Sequence, residues 1–309
     1  MIGQNHWMVF VLATSLIGCD VSESGGEPIL PPTEEVLEPA TDALDFVPLD
    51  VPAALPVIEL IRVVEGFNAP EGVAARPGGG YFISNVAGTG TAKDGVGWIS
   101  IVSPDGDIQE EKWVDGLNAP KGMIAHNGYL YVTDIDVVRV FDLETGAQQE
   151  AIAVEGATFL NDATVWNDAL YVSDSRTGTV HRIVDGVVTD FIRDSELLDG
   201  VNGVLPYGDK LLIATMKAGL LSMASADGTL TTLASGMVNA DGIGIAPSGG
   251  FLVSSWPGDI FYVPEDGDSV KLLDTREDGI LQNDLSVFND IMIVPNWEPG
   301  TVTFWRIRN

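Results

Sequence analysis

Six polar residues recur at one place in six successive segments of the chain: Glu71, Lys121, Asn161, Asn202, Asp241 and Asn283. They follow one another at steps of 50, 40, 41, 39 and 42 residues. Brought to one axis, two carboxylates and three carboxamides offer the oxygen donors that a hard cation needs. Calcium takes several such ligands, and Glu71 with Asp241 would balance its charge. The column contains no histidine or cysteine, which argues against zinc or copper. Lys121 is the odd member, since an ammonium beside a calcium site costs affinity unless it is paired. It could orient a substrate carboxylate, or it could take over part of the metal's charge. A plainer explanation of the column also stands: Asn, Asp and Gly precede strands wherever turns need them.

What would bring these residues together is a repeat of about 40 residues. Each segment reads as a polar marker, a short apolar strand, a turn, a second apolar strand and a small polar residue. Examples are Pro70-Glu71-Gly72 to Ile83-Ser84-Asn85, and Leu160-Asn161-Asp162 to Val172-Ser173-Asp174. Turn residues fall midway: Asn127-Gly128, Asn167-Asp168, Gly208-Asp209, Ser248-Gly249-Gly250 and Asn289-Asp290. Further alternating strands and Gly-bearing turns such as Asp185-Gly186 follow, giving three or four antiparallel strands per unit. Units of this kind bury their faces most economically by radial repetition, so the expected fold is all-β, a six-bladed β-propeller spanning residues 57–309. The last repeat shows three strands, and residues 57–64 are expected to supply its fourth. A longer first repeat contains the Gly-rich stretch 87–95. It lacks the GxxxxGK[ST] spacing of a phosphate loop, and an elongated loop is expected there instead.

In a propeller the innermost strands line a central channel, so the polar column is expected at the channel mouth. Strand direction puts the loops after the second strands on the same face, which adds Arg176, Lys217, Trp256, Trp297 and the 86–95 loop. The two tryptophans could stack on a ring-shaped ligand or serve equally as packing residues. His126 and His181 fall in a turn and in an outer strand, and both are expected to be structural. No nucleophile-elbow motif supports a Ser-His-Asp triad.

These residues, above all Glu71-Gly72, Asn161-Asp162, Asn202-Gly203 and Asp241-Gly242, resemble the senescence-marker protein (regucalcin)/gluconolactonase family. The resemblance covers roughly residues 57–309. It implies a six-bladed propeller with a divalent cation, of the Ca2+ type, at the channel mouth. Carried over by position, it implies Glu71, Asn202 and Asp241 as metal ligands and Asn161 as a contact to substrate or water beside the metal. A similar Glu–Asn–Asn–Asp set occurs in paraoxonase-like propellers. Two positions depart from the pattern. Lys121 occupies the second-blade position, and Phe159 stands where the family has a substrate-gripping arginine, which puts a sugar-acid pocket in doubt.

The N-terminal region reads differently. Residues 7–17 form an apolar run too short to span a bilayer as a helix, followed by Leu16-Ile17-Gly18-Cys19, which resembles a bacterial lipobox. Residues 1–18 are therefore expected to be a lipoprotein signal peptide and Cys19 the lipidated mature N-terminus. Against this, Met1 to His6 include no Lys or Arg. Residues 19–56 read as an acidic, proline-rich tether, with nine acids and no Lys or Arg between positions 20 and 56. The expected location is the bacterial cell envelope, anchored to a membrane and facing the periplasm or exterior. The formal net charge is −30. Such a surface repels nucleic acid and anionic headgroups, so no nucleic-acid partner is expected. The single cysteine excludes an internal disulfide framework.

Two functions of different class follow. One is metal-assisted hydrolysis of a small-molecule lactone or ester. In it Asp241 serves as base, with Asn161 catalytic beside it, and Asn161, Lys121, Asn283, Trp256 and Trp297 hold the substrate. The other is a non-catalytic propeller that binds a small ligand or a protein at the envelope, since propellers host both roles. A monomer is expected in either case.

Overall fold

The computed structural model describes residues 55–308; the expected signal peptide, Cys19 and nearly all of the expected tether lie outside them. The described chain is almost wholly β, its one helical turn being the 3-10 segment Arg276–Asp278. Six antiparallel sheets form in chain order, and the first five have four strands each. They span residues 70–117, 120–153, 160–193, 201–235 and 240–274, here called blades 1 to 5. In each, the first strand in sequence is innermost and its successors add outward.

Blade 6 closes the ring. Its strands Ile291–Glu298 and Thr301–Arg308 are followed outward by Val57–Glu65, which pairs antiparallel with the last strand from Val57 opposite Arg308 to Glu65 opposite Thr301. The first strand of the propeller therefore completes its last blade, as its sequence suggested. The inner strand of blade 6 is broken into Leu281–Gln282 and Ser286–Phe288, around the marker pair Asn283-Asp284.

Why these segments form strands is clearest in Lys210–Thr215. Alternate residues must face opposite sides of a sheet. Leu211 and Ile213 pack toward blade 3 with Val180, Leu198 and Val204, whereas Leu212 and Ala214 pack toward blade 5 with Met237, Ile243 and Val253. Both sides are apolar because a blade has a neighbour on each side. The same arrangement repeats around the ring and leaves an apolar layer between every adjacent pair of blades, including blades 6 and 1 through Val302, Phe304, Val73 and Ile83. Each such side chain contributes about 1.5–3 kcal/mol on burial. The hairpin turns carry the residues their geometry demands: Asn127 and Gly128 have φ of 48° and 84°, and Asn167 and Asp168 have 49° and 57°.

Candidate functional site at the channel mouth

Each inner strand of blades 1 to 5 begins with a break in its ladder. The register slips between Pro70 and Val73, Pro120 and Met123, Leu160 and Ala163, Val201 and Val204, and Ala240 and Ile243. Two residues in each blade are thus freed from pairing, and the first of them is the recurring polar residue. The N–H released at the second is recaptured from the neighbouring strand. Gly72 N donates to Ser84 Oγ at 2.7 Å, Asp162 N to Ser173 Oγ at 2.9 Å, and Gly242 N to Ser254 Oγ at 2.9 Å. A bulge re-aims a side chain in this way, and here it turns a column of sequence markers into a ring.

The second member of each pair is glycine in four blades because the next blade's backbone lies against it. A Cβ on Gly72 would stand 2.6 Å from the Lys121 carbonyl oxygen, and one on Gly203 would overlap the Asp241 carbonyl. In blades 3 and 6 this position holds Asp162 and Asp284, whose carboxylates lie against Gly122 and Gly242. Asp162 accepts from Ala163 N at 2.7 Å and from Val204 N at 2.8 Å, which ties blade 3 to blade 4. Both aspartates border a second cavity of about 250 Å³ deeper in the channel. Sequence reasoning missed them, although they are the two interruptions of an otherwise glycine column.

The markers that end the second strands do a different job. Asp134 accepts from Asn118 N and Ala119 N, Asn85 Oδ1 from Asn68 N, and Asp174 from Thr158 N and Phe159 N. In blades 1 to 3 these buried groups hold the segment entering the inner strand, so they fix the ring without joining it.

All six column residues border one cavity of about 190 Å³ at the channel mouth, together with Gly90, Phe159, Met216, Trp256 and Trp297. The six side chains are buried, Glu71 being 6% exposed, Lys121 3% and Asp241 3%. The floor is polar and the walls are apolar. Trp256 and Trp297 meet edge to face with centroids 6.2 Å apart, so they pack on each other and border the cavity at once. Met216, Trp256 and Trp297 each directly follow a second marker. Met216, overlooked in the sequence, could have been found by that rule. Arg176 and Lys217 stand one residue further along and do not line the cavity. Lys217 pairs with Asp199 at 3.0 Å.

Lys121 does not face the carboxylates as an ion-pair partner. Its Nζ donates to the carbonyls of Ala119 at 3.0 Å and Gly90 at 3.1 Å, and lies 4.5 Å from the centre of the Phe159 ring. The Gly-rich loop is thereby pinned to blade 2, a tie repeated where Lys93 pairs with Asp136. The Arg176 guanidinium lies over the same phenyl ring at 5.0 Å.

Burial sets the electrostatics. It raises the Glu71 carboxyl well above its ordinary range, with Asp241 and Asp162 adding to the rise and Lys121 opposing it. Asp241 is pushed up to about 7 by burial and by Asp162, against the neighbouring Asn202 amide. Burial lifts Asp162 to about 6, partly offset by the N–H groups of Val204 and Ala163. Asp284 is raised by burial and by the other three acids. Burial lowers the Lys121 ammonium and Arg176 pushes the same way, while Glu71 and Asp134 resist. Among the described residues no three His, Cys, Asp or Glu side chains are placed to hold a metal ion by themselves. A cation held here would accordingly draw on the Asn202 amide as well as on Glu71 and Asp241, with Asn161 beside it. The described histidines stand apart: His126 meets Asn127 in a turn, and buried His181 lies beside Asp190 in the third strand of blade 3.

No protein-family model and no curated protein matches the chain. Solved structures do. A candidate gluconolactonase is similar at 18% identity with a TM-score of 0.60, over 82% of this chain and 93% of that one. A selenomethionine-substituted virginiamycin B lyase from Staphylococcus aureus is similar at 12% identity and 0.61, over 82% and 99%. A streptogramin B lyase is similar at 11% identity and 0.58, over 82% and 98%. Likeness at these identities is likeness of fold, and with the six sheets it establishes the chain as a six-bladed β-propeller whose solved neighbours include a candidate gluconolactonase and two lyases.

Proposed function

We propose that the protein is a hydrolase that opens a lactone or ester at the channel mouth with the help of a divalent cation, calcium by preference. The observation that carries this reading is the gathering of Glu71, Asn161, Asn202 and Asp241 around one small cavity, with neither carboxylate ion-paired to a described residue. Two buried acids, Asp241 adding to the raised pKa of Glu71, suit an oxygen-loving cation, and the amides supply neutral donors beside them. Glu71, Asn202 and Asp241 would hold it, and its chemistry would be to polarise a carbonyl oxygen. Asn161, which donates to Ser175 Oγ at 3.2 Å, has a fixed orientation from which to position the carbonyl or the attacking water. Asp241 takes a proton from that water as its oxygen bonds to the carbonyl carbon. The carbon–oxygen single bond of the ester then breaks, and the departing alkoxide recovers the proton. Apolar walls of Phe159, Met216, Trp256 and Trp297 exclude water and favour substrates less polar than a sugar lactone. In this reading the enzyme works at the bacterial cell envelope, held by a lipid on Cys19.

The test is turnover of a panel of aldonolactones, alkyl lactones and aryl esters by the full-length protein, with calcium, manganese, zinc or chelator. Activity should vanish with chelator and return with metal. Asp241→Asn should lower kcat more than it raises KM, because a base acts in the transition state. Calcium binding without turnover of any panel member would instead favour a binding module. A rate that survives both chelation and loss of Asp241 would reject this mechanism.

A further inference from the structure

The cations of this chain are few and mostly spoken for. All fifteen lysines and arginines lie in the described region, and ten of them stand within ion-pair distance of a carboxylate. Among the described residues five have no such partner: Arg76, Lys112, Lys121, Arg176 and Arg182. Two of these five lie over one phenyl ring at the channel mouth. In a protein with 45 acidic residues, two adjacent cations without an acid between them are an exception that calls for an anion.

Lys121 offers that anion a donor. An ammonium has three N–H groups, and two are taken by the Ala119 and Gly90 carbonyls. Lys121 is 3% exposed and borders the cavity beside the Phe159 ring, so the third donor faces that ring and the cavity's contents. Arg176 is exposed at the rim, and its guanidinium makes no hydrogen bond to a described side chain or backbone group. A planar fork of this kind grips a carboxylate with two parallel bonds.

We propose, on the basis of the lactone or ester reading above, that the substrate is an anion: a lactone or ester whose apolar ring also bears a carboxylate, received between Arg176 and Lys121 at the edge of Phe159. The ring packs against Phe159, Met216, Trp256 and Trp297, and the scissile carbonyl points to Asn161 and Asp241. Phe159 then serves as a platform shared by the two like charges. With a divalent cation on Glu71 and Asp241, Lys121 leaves the ring net positive, which suits an anionic ligand.

The experiment is calorimetric binding of benzoate and phenylacetate against benzamide and phenylacetamide, to the full-length protein, in calcium and in chelator. The carboxylates should bind at least tenfold more tightly than the amides, and high salt should shrink the gap. Arg176→Ala, at an exposed position, should bring the carboxylates near the amide level, with Arg176→Lys between the two. Lys121→Met should do the same, provided its melting curve stays cooperative. Equal affinity for acid and amide, no carboxylate binding, or an unchanged carboxylate affinity in Arg176→Ala would overturn the inference. So would carboxylate binding that survives both substitutions and disappears with chelator, since the metal alone would then hold the anion. Arg176-dependent carboxylate binding without any turnover would leave the carboxylate site between Arg176 and Lys121 standing and sink the hydrolase reading. Turnover confined to neutral lactones would do the reverse.

Discussion

Replacing Asp241 by asparagine should stabilise the metal-free protein above neutral pH and weaken it in calcium. An aspartate ordinarily titrates near 3.8, and in the fold Asp241 titrates at about 7. Between those values the folded chain keeps a proton that the unfolded chain has released. Stability therefore falls as pH rises from about 4 to about 7, and stays level above that. Three units at 1.36 kcal/mol each correspond to ~4 kcal/mol for an isolated group. Coupling to Glu71, Asp162 and Asp284 spreads this cost, so about half of it is a fair expectation for a single substitution. For a domain of this size ~2 kcal/mol shifts Tm by roughly 4–8 °C. The assay is thermal unfolding in chelator at pH 5, 6, 7 and 8. His181, which burial drives toward the neutral form, contributes with the opposite sign, and it cancels in the difference between wild type and variant. In chelator the variant should melt lower than or level with wild type at pH 5 and clearly higher at pH 8. Saturating calcium should raise wild type by mass action and leave the variant nearly unmoved. A wild-type Tm independent of pH in chelator, or a variant less stable at pH 8, would refute the reasoning.

Other changes test the architecture. Gly242→Ala should cost about 3 kcal/mol, the upper end of overpacking penalties, in denaturant unfolding, because the new methyl would overlap Asp284 Oδ1 and the Leu285 backbone. Deleting residues 57–65 should leave blade 6 without its outer strand and prevent cooperative unfolding, as followed by circular dichroism. Trp297→Ala should raise KM and leave kcat almost unchanged, since the ring borders the cavity without reaching Asn161 or Asp241 through a hydrogen bond. Cys19→Ser should move the protein from the membrane to the soluble fraction and abolish lipid labelling.

Blade number and the polar ring were legible in the sequence because both follow from a periodic constraint. A strand buried on both faces is apolar throughout, so the few polar residues that open and close it stand out, as Asn161 and Asp174 do around 162–173. Ring closure was legible for the same reason: residues 57–64 are a strand without a blade of their own. The destination of Lys121 was not legible. Its column position fixes where the backbone lies, but a side chain with four methylenes can turn toward the metal ring or toward the rim. Two carbonyls and the Phe159 face decide between them. Asp162 and Asp284 were hidden by ordinariness, because an Asp after an Asn before a strand is what a turn requires.

The pairing of Val57 with Arg308 has a consequence for biosynthesis. A chain emerges from its N-terminus, so the strand made first waits for the strand made last. Until residue 308 is available, Val57, Leu60, Ile61 and Val63 belong to an edge with no neighbour, and these side chains remain 42–60% exposed even in the finished ring apart from its pairing partner. Such an edge invites the wrong strand. Blades 1 to 5 can each form a sheet as soon as they are made, whereas blade 6 is assembled from both ends of the body. Slow elongation near the C-terminus should therefore raise aggregation more than an equal delay inside any earlier blade.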